Sequence, residues 1–405
     1  MSLKHRGMWL ALGLLVALAA SPLMAQPPEG QVVGDMQLFA SGEQATLGGG
    51  PRANQGLFVT ASGLLWYVSP PNIATFGQPL PNARTVYWGS SVESSQTLAS
   101  TVDTSFITAQ DTGGQEYTIG WIKGHQGIMF RYFDLHELNA ENRILNVPAY
   151  FEDEVWGDGG FAHTQGQVGT TNPTTQFLPT YYEQLTLRNT TKSRGVELSY
   201  LYRLHPMMGG GIFEWKFGAR YIAFLEEFDV EGFQLTDPEQ APPHNVLADT
   251  VFATWADNYI VGPEIGLRWF RRQDRWTWEA MGAFTAGTNF QAIRQEGEVA
   301  SLQATTFGDP IVNTPLAQRG TGFNHSFRTT EFSPVVEFQV NLKYQFTRSV
   351  AGNIGYSALW INNVARPSNM VDYTLHNDSY FGILEGNNRQ DVLMHGLRAG
   401  IEFNR

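Results

Sequence analysis

The sequence predicts an all-β protein: a transmembrane, antiparallel, up-and-down β-barrel of about ten strands, with roughly 8 to 14 strands as alternatives. Three observations favour this fold class. Long segments alternate between apolar and polar residues, and the connections between them alternate between long and short. The last segment is an alternating strand that ends near an aromatic residue.

Composition excludes several other classes. The 405 residues include 42 Gly and 20 Pro, and only 16% are charged, which is unlike a coiled coil, a helical bundle or a disordered chain. After residue 25, no apolar run reaches the ~18 to 20 residues that a membrane-spanning helix requires. A single all-β domain is therefore expected.

Charge and cysteine content limit the partners. The net charge is −12 and no basic block is present, so no binding to nucleic acid is predicted. The chain has no Cys, which excludes disulfides and thiolate zinc sites. Strand pairing and burial must hold the fold together.

The amino-terminal 25 residues have the pattern of a secretory signal peptide. A basic start with Lys4 and Arg6 precedes an apolar run over 8–20 and a small residue, Ala25. Residues 26–55 are a polar, Gly-rich segment, and 56–405 are predicted to form the barrel domain. An exported barrel of this kind is expected in the cell outer membrane of a Gram-negative bacterium.

Alternation is clearest over residues 332–346, where Val336, Phe338 and Val340 share one face. Glu337, Gln339 and Asn341 share the other, and similar patterns occur over 212–225 and 259–269. These runs exceed the ~5 to 6 residues of typical soluble strands and reach the ~9 to 11 of tilted membrane strands. The apolar face is predicted to meet lipid and the polar face to line the interior.

Trp and Tyr recur near the ends of the apolar faces, as is typical of membrane interfaces. These residues are Trp66, Tyr67, Trp121, Trp215, Tyr259, Trp269, Trp276, Trp278, Tyr344 and Trp360.

Ten strands are predicted over 56–68, 115–124, 126–136, 183–205, 210–228, 252–272, 274–291, 326–346, 348–364 and 390–403. The long connections then cover 69–114, 137–182, 229–251, 292–325 and 365–389. Short turns join the other pairs, so both termini lie on the periplasmic side. The stretch 183–205 changes parity near 189–194, which indicates either a bulge or a hairpin.

The chain ends with an alternating strand from Gly396 to Phe403, which resembles the assembly signal of outer-membrane barrels. It departs from that pattern because Asn404 and Arg405 follow the last Phe. The predicted partners are outer-membrane lipid and, through this strand, the barrel-assembly machinery.

Three segments resemble the putative β-barrel porin family found in planctomycete bacteria (putative beta barrel porin-7). They are 217–222 followed by Leu225-Glu226-Glu227, then 258–269, then Gly355-Tyr356 through Asn363-Val364-Ala365-Arg366-Pro367. The resemblance covers roughly residues 56 to 403. It implies an outer-membrane β-barrel of porin type, with no substrate and no catalytic residue to carry over.

Charged residues at inward positions are the candidate lumen-lining residues. They are Glu197, Arg203, Glu214, Lys216, Arg220, Glu264, Arg268, Glu279, Glu337, Lys343, Arg398 and Glu402, to which Glu116 and Arg131 are added. Two interpretations stay open: a narrow channel whose charged walls select solutes, or a lumen plugged by cross-strand ion pairs. A ten-stranded barrel is only slightly wider than one that side chains can fill.

No catalytic, cofactor or metal site is predicted, because the sequence lacks Gly-x-Ser-x-Gly, His-Glu-x-x-His and phosphate-loop motifs. His163, His244, His325 and His376 fall on predicted outer loops and are interpreted as solvated or packed side chains. Glu152, Asp153, Glu154 and Asp158 could offer oxygens to Ca²⁺, but a solvated acidic loop is the simpler interpretation.

The predicted function is that of a porin-like outer-membrane barrel with a narrow or plugged polar lumen. Such a barrel would serve passive passage of small solutes or a structural role at the surface. The alternative is a surface-displayed binding or adhesion protein, or a barrel enzyme, that acts through its long outer loops.

Overall fold

The computed structural model describes residues 56–77, 84–87, 95–98, 102–153, 176–207, 210–234, 247–301, 322–347, 349–376 and 380–404. The predicted signal peptide and the 26–55 segment lie outside these ranges. Across the described ranges, no helix has the length and apolar character needed to cross a membrane.

The described residues form fourteen strands and three short 3₁₀ turns. The strands are β1 (Gly56–Val68), β2 (Arg84–Tyr87), β3 (Ser95–Leu98), β4 (Gln110–Lys123), β5 (Gln126–Asp153), β6 (Gln176–Arg203), β7 (Gly211–Gln234), β8 (Leu247–Gln273), β9 (Trp276–Ser301), β10 (Gly322–Gln345), β11 (Val350–Val364), β12 (Val371–His376), β13 (Tyr380–Ile383) and β14 (Gln390–Asn404). The turns cover Thr104–Phe106, Pro367–Asn369 and Glu385–Asn387.

Ten strands close into one antiparallel barrel in the order β1-β4-β5-β6-β7-β8-β9-β10-β11-β14, and β14 pairs back with β1. The predicted fold class and all ten predicted barrel strands are confirmed. The remaining strands are short: β2 pairs with β3, and β12 pairs with β13 and, in parallel, with the outer end of β5.

The predicted outer ends of six strands were wrong. The sequence predicts a loop over 137–182, but β5 continues to Asp153 and β6 begins at Gln176. Strands β5 to β10 have 24 to 28 residues, whereas β1, β4, β11 and β14 have 13 to 15. Six adjacent strands therefore project beyond the others at the long-loop end, as an open half-barrel.

An apolar belt surrounds the end of the barrel that carries the short turns. On β1 it extends from Leu57 to Tyr67, and on β14 it includes Leu397, Ile401 and Phe403, all substantially exposed. The β1 stretch matches the ~9 to 11 residues that a tilted strand needs to cross a bilayer. The assignment of Trp66 to the interface was wrong, because this side chain points inward and only 2% of it is exposed.

Strand β7 shows how polarity inverts along the barrel axis. Near the short turn, Lys216 and Arg220 face inward while Phe217 faces outward. Farther out, the inward side chains include Phe228, and the outward ones include Asp229. The membrane part therefore has lipid outside and polar groups inside, whereas the projecting part has the dry core and polar exterior of a water-soluble protein.

This inversion corrects the interpretation of residues 183–205. From Leu185 to Arg203, every odd-numbered side chain of β6 points inward, so the strand is continuous and its parity does not change. The inward residues change instead from apolar, such as Leu187, to polar, such as Asn189 and Thr191. The hairpin alternative was wrong, and the nearby register shift lies on β5 between Leu135 and Leu138.

The projecting half-barrel has its own core, which includes residues from the folded-in connections between β1 and β4 and between β11 and β14. Its buried members are Phe76, Val102, Ile107, Ala140, Val147, Tyr182, Leu185, Leu187, Phe228, Val230, Phe252, Val299, Phe323, Val371, Tyr373 and Phe381. Burial raises the pKa of Tyr373 above its usual value, as expected for a phenol in an apolar core.

Two substitutions on β8 test the inversion of polarity. Ile265 lies in the belt and Val251 in the projecting part, and their side chains are 45% and 44% exposed. We expect Ile265→Arg to lower the free energy of unfolding by about 2 to 4 kcal/mol, because it places a charge in lipid. Val251→Arg should change it little, since that charge meets water.

The measurement is urea unfolding of protein folded into lipid vesicles. Equal losses for the two variants would contradict the assignment of the belt to the membrane.

Candidate functional site: the barrel lumen

The lumen is layered along the barrel axis. Nearest the short turns lies an ion-pair layer, formed by the fourteen charged residues predicted to point inward. An apolar layer follows, and beyond it a set of buried polar side chains that we call the anchor layer. Each layer draws residues from several strands, so closure of the barrel assembles all three.

The twelve candidate lumen-lining residues, with Glu116 and Arg131, all lie at inward positions. Twelve of these fourteen are buried, and the two exceptions, Arg268 and Lys343, expose 11% and 15% of their side chains. Both exceptions lie toward the short-turn end. Seven acids and seven bases are thus enclosed at membrane depth.

Arg131 and Glu337 form the centre of the ion-pair layer. Arg131 donates from Nη1 and Nη2 to the two carboxylate oxygens of Glu337, at 2.7 and 2.6 Å. Its Nη2 also lies 2.6 Å from Glu197. Arg220 donates to Glu337 as well and lies 3.0 Å from Glu197, so two guanidinium groups share two carboxylates.

Lys216 and Glu264 complete this central group. The Lys216 Nζ lies 2.7 Å from both Glu197 and Glu264, and Arg220 Nε lies 2.5 Å from Glu264. Three bases and three acids from β5, β6, β7, β8 and β10 therefore form one neutral cluster. Such a cluster tolerates burial only because each charge has its partners.

The other eight charges form three smaller groups. Glu214 binds Arg203 at 2.9 Å and Arg268 at 2.5 Å. Lys343 bridges Glu279 and Glu402, at 3.1 and 2.8 Å. Arg398 on β14 reaches past β1 to Glu116 on β4 at 2.7 Å.

A cavity of about 60 Å³ lies among these groups, with Asn341 and Asn353 in its wall. That volume holds a few water-sized molecules but no continuous wide pore.

The apolar layer closes the lumen beyond the charges. Its members are Leu64, Trp66, Val68, Phe133, Leu135, Ile222, Phe224, Ile260, Val335, Leu359, Ile361, Val364, Val392 and Met394, from seven strands. All are buried, and the rings of Trp66 and Phe133 are 5.9 Å apart. A hydrophobic constriction of this kind excludes water and ions.

The anchor layer fixes the segment that leaves β11. Arg366 is almost fully buried and forms a fork to Glu226 on β7, with Nε at 2.7 Å and Nη2 at 2.5 Å from its oxygens. A third hydrogen bond from Arg366 reaches the Ser69 carbonyl at 2.8 Å. Asn258 on β8 accepts from the Ala365 amide and donates to its carbonyl, at 2.8 and 2.9 Å.

Strand β9 adds further hydrogen bonds to the same connection. Asn289 and Gln291 both donate to the Asn363 carbonyl at 3.0 Å. Gln291 also exchanges hydrogen bonds with Asn388 at the far end of the connection. Both ends of the segment between β11 and β14 are thus held against the barrel wall.

Sequence reasoning missed the apolar layer and the role of the anchor residues. The signal for the first was present, because residues 221–225 and Val335-Val336 are apolar on both faces. The signal for the second lay in the family resemblance, since Glu226, Asn258, Ala365 and Arg366 all belong to the quoted segments. These residues are distant in sequence and meet in the anchor layer.

The candidate residues of the outer loops are placed only in part. His163, His244, Glu154 and Asp158 lie outside the described residues, as do the side chains of Glu152, Asp153 and His376. His325 lies in the projecting half-barrel, next to the rings of Phe323 and Tyr380. The described residues contain no group of three or more His, Asp or Glu arranged to hold a metal.

Removal of Glu337 tests the ion-pair layer. We expect Glu337→Gln to lower the free energy of unfolding by about 3 to 5 kcal/mol, because Arg131 and Arg220 remain buried with too little negative charge. The control is Glu137→Gln. Glu137 forms a solvent-exposed ion pair with Lys192 at 2.8 Å, so its removal should change the free energy of unfolding little. Urea unfolding in vesicles checks both variants, and equal stability of the two would contradict the importance of the central cluster.

The absence of native Cys allows a direct test of the anchor layer. Ser368 is 1% exposed, so the thiol in Ser368→Cys should resist a water-soluble thiol reagent. Adding Glu226→Gln should raise the labelling rate at least about tenfold, because Arg366 loses its buried counter-charge. Asp229→Asn on the outer face of β7 is the control, and equal labelling in both backgrounds would rule out Glu226 as the anchor.

Comparison with known proteins gives one family and several distant barrels. The model of the family described as putative beta barrel porin-7 matches residues 189–404, just over half of the chain. No curated protein matches the chain. The solved structures that match include OmpT, an outer membrane protease of Escherichia coli, with 10% identity, a TM-score of 0.42, and coverage of 87% of this chain and 97% of OmpT.

Two channel-type structures are less similar. The TodX deltaS2S3 mutant, a monoaromatic hydrocarbon channel, has 6% identity and a TM-score of 0.24, over 91% of this chain and 94% of its own. A FadL homologue of Pseudomonas aeruginosa has 8% identity and a TM-score of 0.21, over 86% and 90%. At this level of similarity, neither the protease nor the channels transfer a function. The family match covers six complete barrel strands and just over half of a seventh, and on it the chain belongs to the putative beta barrel porin-7 family.

Proposed function

We propose that this protein is a porin-like barrel of the outer membrane whose lumen is closed at rest and passes small solutes when the apolar layer opens. The observation that carries the proposal is the order of the layers. A charged chamber near the short turns, with a cavity of about 60 Å³, ends at an apolar constriction, which is the arrangement of a gated pore.

The ion-pair layer supports a polar path up to that constriction. Its charges are balanced, so the chamber neither attracts nor repels ions strongly. The least buried groups, Arg268 and Lys343, lie toward the short-turn end, which is the periplasmic mouth of the proposed path. No catalytic residue, metal or cofactor forms part of the proposal.

The outer surface and the terminal strand of the barrel indicate its proposed partners. Outer-membrane lipid covers the belt, and β14 offers the terminal strand to the assembly machinery after export by the signal peptide. Phe403 is 53% exposed on that strand. Asn404 still belongs to it, with its amide bonded to the Ser349 carbonyl at 2.9 Å, so the departure from the usual ending leaves the strand intact.

A structural role at the surface is the second candidate. It is favoured by the projecting half-barrel, whose aromatic core needs no lumen. In that case the membrane part would serve as an anchor.

Conductance in planar bilayers tests the proposal. We expect the native protein to be silent or nearly so, because the apolar layer excludes water. Val335→Asn combined with Leu359→Asn places two polar side chains in that layer and should produce discrete current steps. Adding Lys343→Glu should shift the ion selectivity toward cations, since it reverses a charge in the chamber.

Ile354→Asn is the matched control, because Ile354 faces outward on β11 with 57% exposure. It should leave the bilayer silent. A silent Val335→Asn/Leu359→Asn variant, with folding verified by heat-modifiable migration, would reject the pore and leave the structural role.

A further inference from the structure

One wall of the lumen differs from the rest. Along their described lengths, β1 and β11 are the two barrel strands with no charged residue at an inward position. Strand β14 lies between them, and two of its inward positions, Gly396 and Gly400, have no side chain. We call the uncharged residues Ser62 and Trp66 on β1 and Asn353 and Ser357 on β11, with Asn341 on β10, the neutral wall; the charged Arg398 and Glu402 of β14 lie between β1 and β11.

The strand register places its polar groups in rows. Ser62 pairs with Gly400, which pairs with Asn353. Two residues farther along β14, the inward position is taken by Arg398. The row after that joins Trp66, Gly396 and Ser357. In both rows a glycine separates two polar side chains and is itself closely packed: Ser62 Oγ lies directly against the position that a Cβ on Gly400 would take.

Six polar atoms of this wall have no hydrogen-bond partner among the described residues. They are Ser62 Oγ, Trp66 Nε1, Asn341 Oδ1, both amide atoms of Asn353, and Ser357 Oγ. Each of the five residues is more than nine-tenths buried, with exposures between 1% and 8%. Asn341 and Asn353 also line the 60 Å³ cavity.

Five buried residues with an unpartnered polar atom lie on neighbouring strands here, whereas buried donors and acceptors in native proteins are almost always satisfied. Asn189 and Ser193 on β6 also keep one unpartnered atom each. The charged groups of the lumen pair mainly with one another, and one of them, Glu279, accepts a hydrogen bond from Asn341 Nδ2 at 3.4 Å. A small hydrogen-bonding molecule in the lumen, water included, would satisfy these atoms.

The chemistry of the wall defines that molecule. The groups are amide, hydroxyl and indole, which offer both donors and acceptors but no net charge. An ion at this wall would lose its hydration without meeting an unpaired counter-charge, which is unfavourable. We propose that the neutral wall is a binding path for small uncharged hydrogen-bonding molecules, of the size of glycerol or urea.

This inference rests on the proposed function, because a solute can cross only when the apolar layer is open. The path runs from Asn353 at the chamber to Ser357, directly before Leu359 of the apolar layer. Trp66 places its unpartnered N–H within that layer, so the path of neutral groups continues into the constriction.

The test uses the opened background Val335→Asn/Leu359→Asn in lipid vesicles, with Leu359→Ser alone as a substitute if the double variant does not fold. Swelling in glycerol and in urea measures neutral flux, and conductance in KCl measures ion flux. We expect glycerol and urea to cross, and Ser357→Ala or Asn353→Leu to reduce their flux about fivefold, as expected for one lost hydrogen bond.

The matched control is Ser199→Ala on β6. Ser199 and Ser357 are both 1% exposed, but the Ser199 hydroxyl already donates to Glu197 at 2.7 Å. This control should leave neutral flux unchanged in protein whose folding is verified.

Two results would overturn the inference. If ions cross but neutral flux is the same with and without the Ser357 and Asn353 substitutions, the pore exists and the neutral wall is not its binding path. If neither ions nor neutral solutes cross the opened background, the pore itself is absent and the inference fails with it.

Discussion

The structure depends on a change of solvent along a single set of strands. Each long strand passes from lipid into water. In the membrane part its outward face must be apolar, and in the projecting half-barrel its inward face must be apolar. Strand β7 makes this change within a few residues, from inward Arg220 to inward Ile222 and Phe224. The regular alternation of side chains lets one continuous strand satisfy both solvents without a break.

The layers of the lumen follow from that change. Within the membrane, lipid supplies the apolar surroundings, so the inside can hold fourteen charges if they pair, as Arg131 and Glu337 do. Farther out the inside must become the core, and the apolar layer is where it begins. The apolar layer that closes the lumen is therefore the innermost part of the apolar interior of the projecting half-barrel. The anchor layer separates it from the aromatic residues farther out.

The alternation of apolar and polar residues and the alternation of long and short connections identify all ten barrel strands. They do so because successive side chains of a strand point to opposite faces, and the polarity of each side chain matches its surroundings. The inward position of Glu214, Lys216 and Arg220 followed from the same pattern. The outer ends of β5 and β6 could not be found that way, since the expected pattern, with apolar residues outward, reverses there and resembles a loop or a bulge. The pairing of Glu226 with Arg366 could not be found either, because 140 residues separate them and only the closed barrel brings them together.

The polar exterior of the projecting half-barrel has a consequence for biogenesis. Arg188, Lys192 and Asp229 face outward there, beyond the apolar belt. A chain that enters the bilayer from the side of its short turns must carry these side chains through the hydrocarbon before the belt can settle in it, at a free-energy cost for each unshielded charge. Insertion therefore requires a route on which the outer segments are shielded from lipid, and its slowest step should be the translocation of these segments rather than closure between β1 and β14.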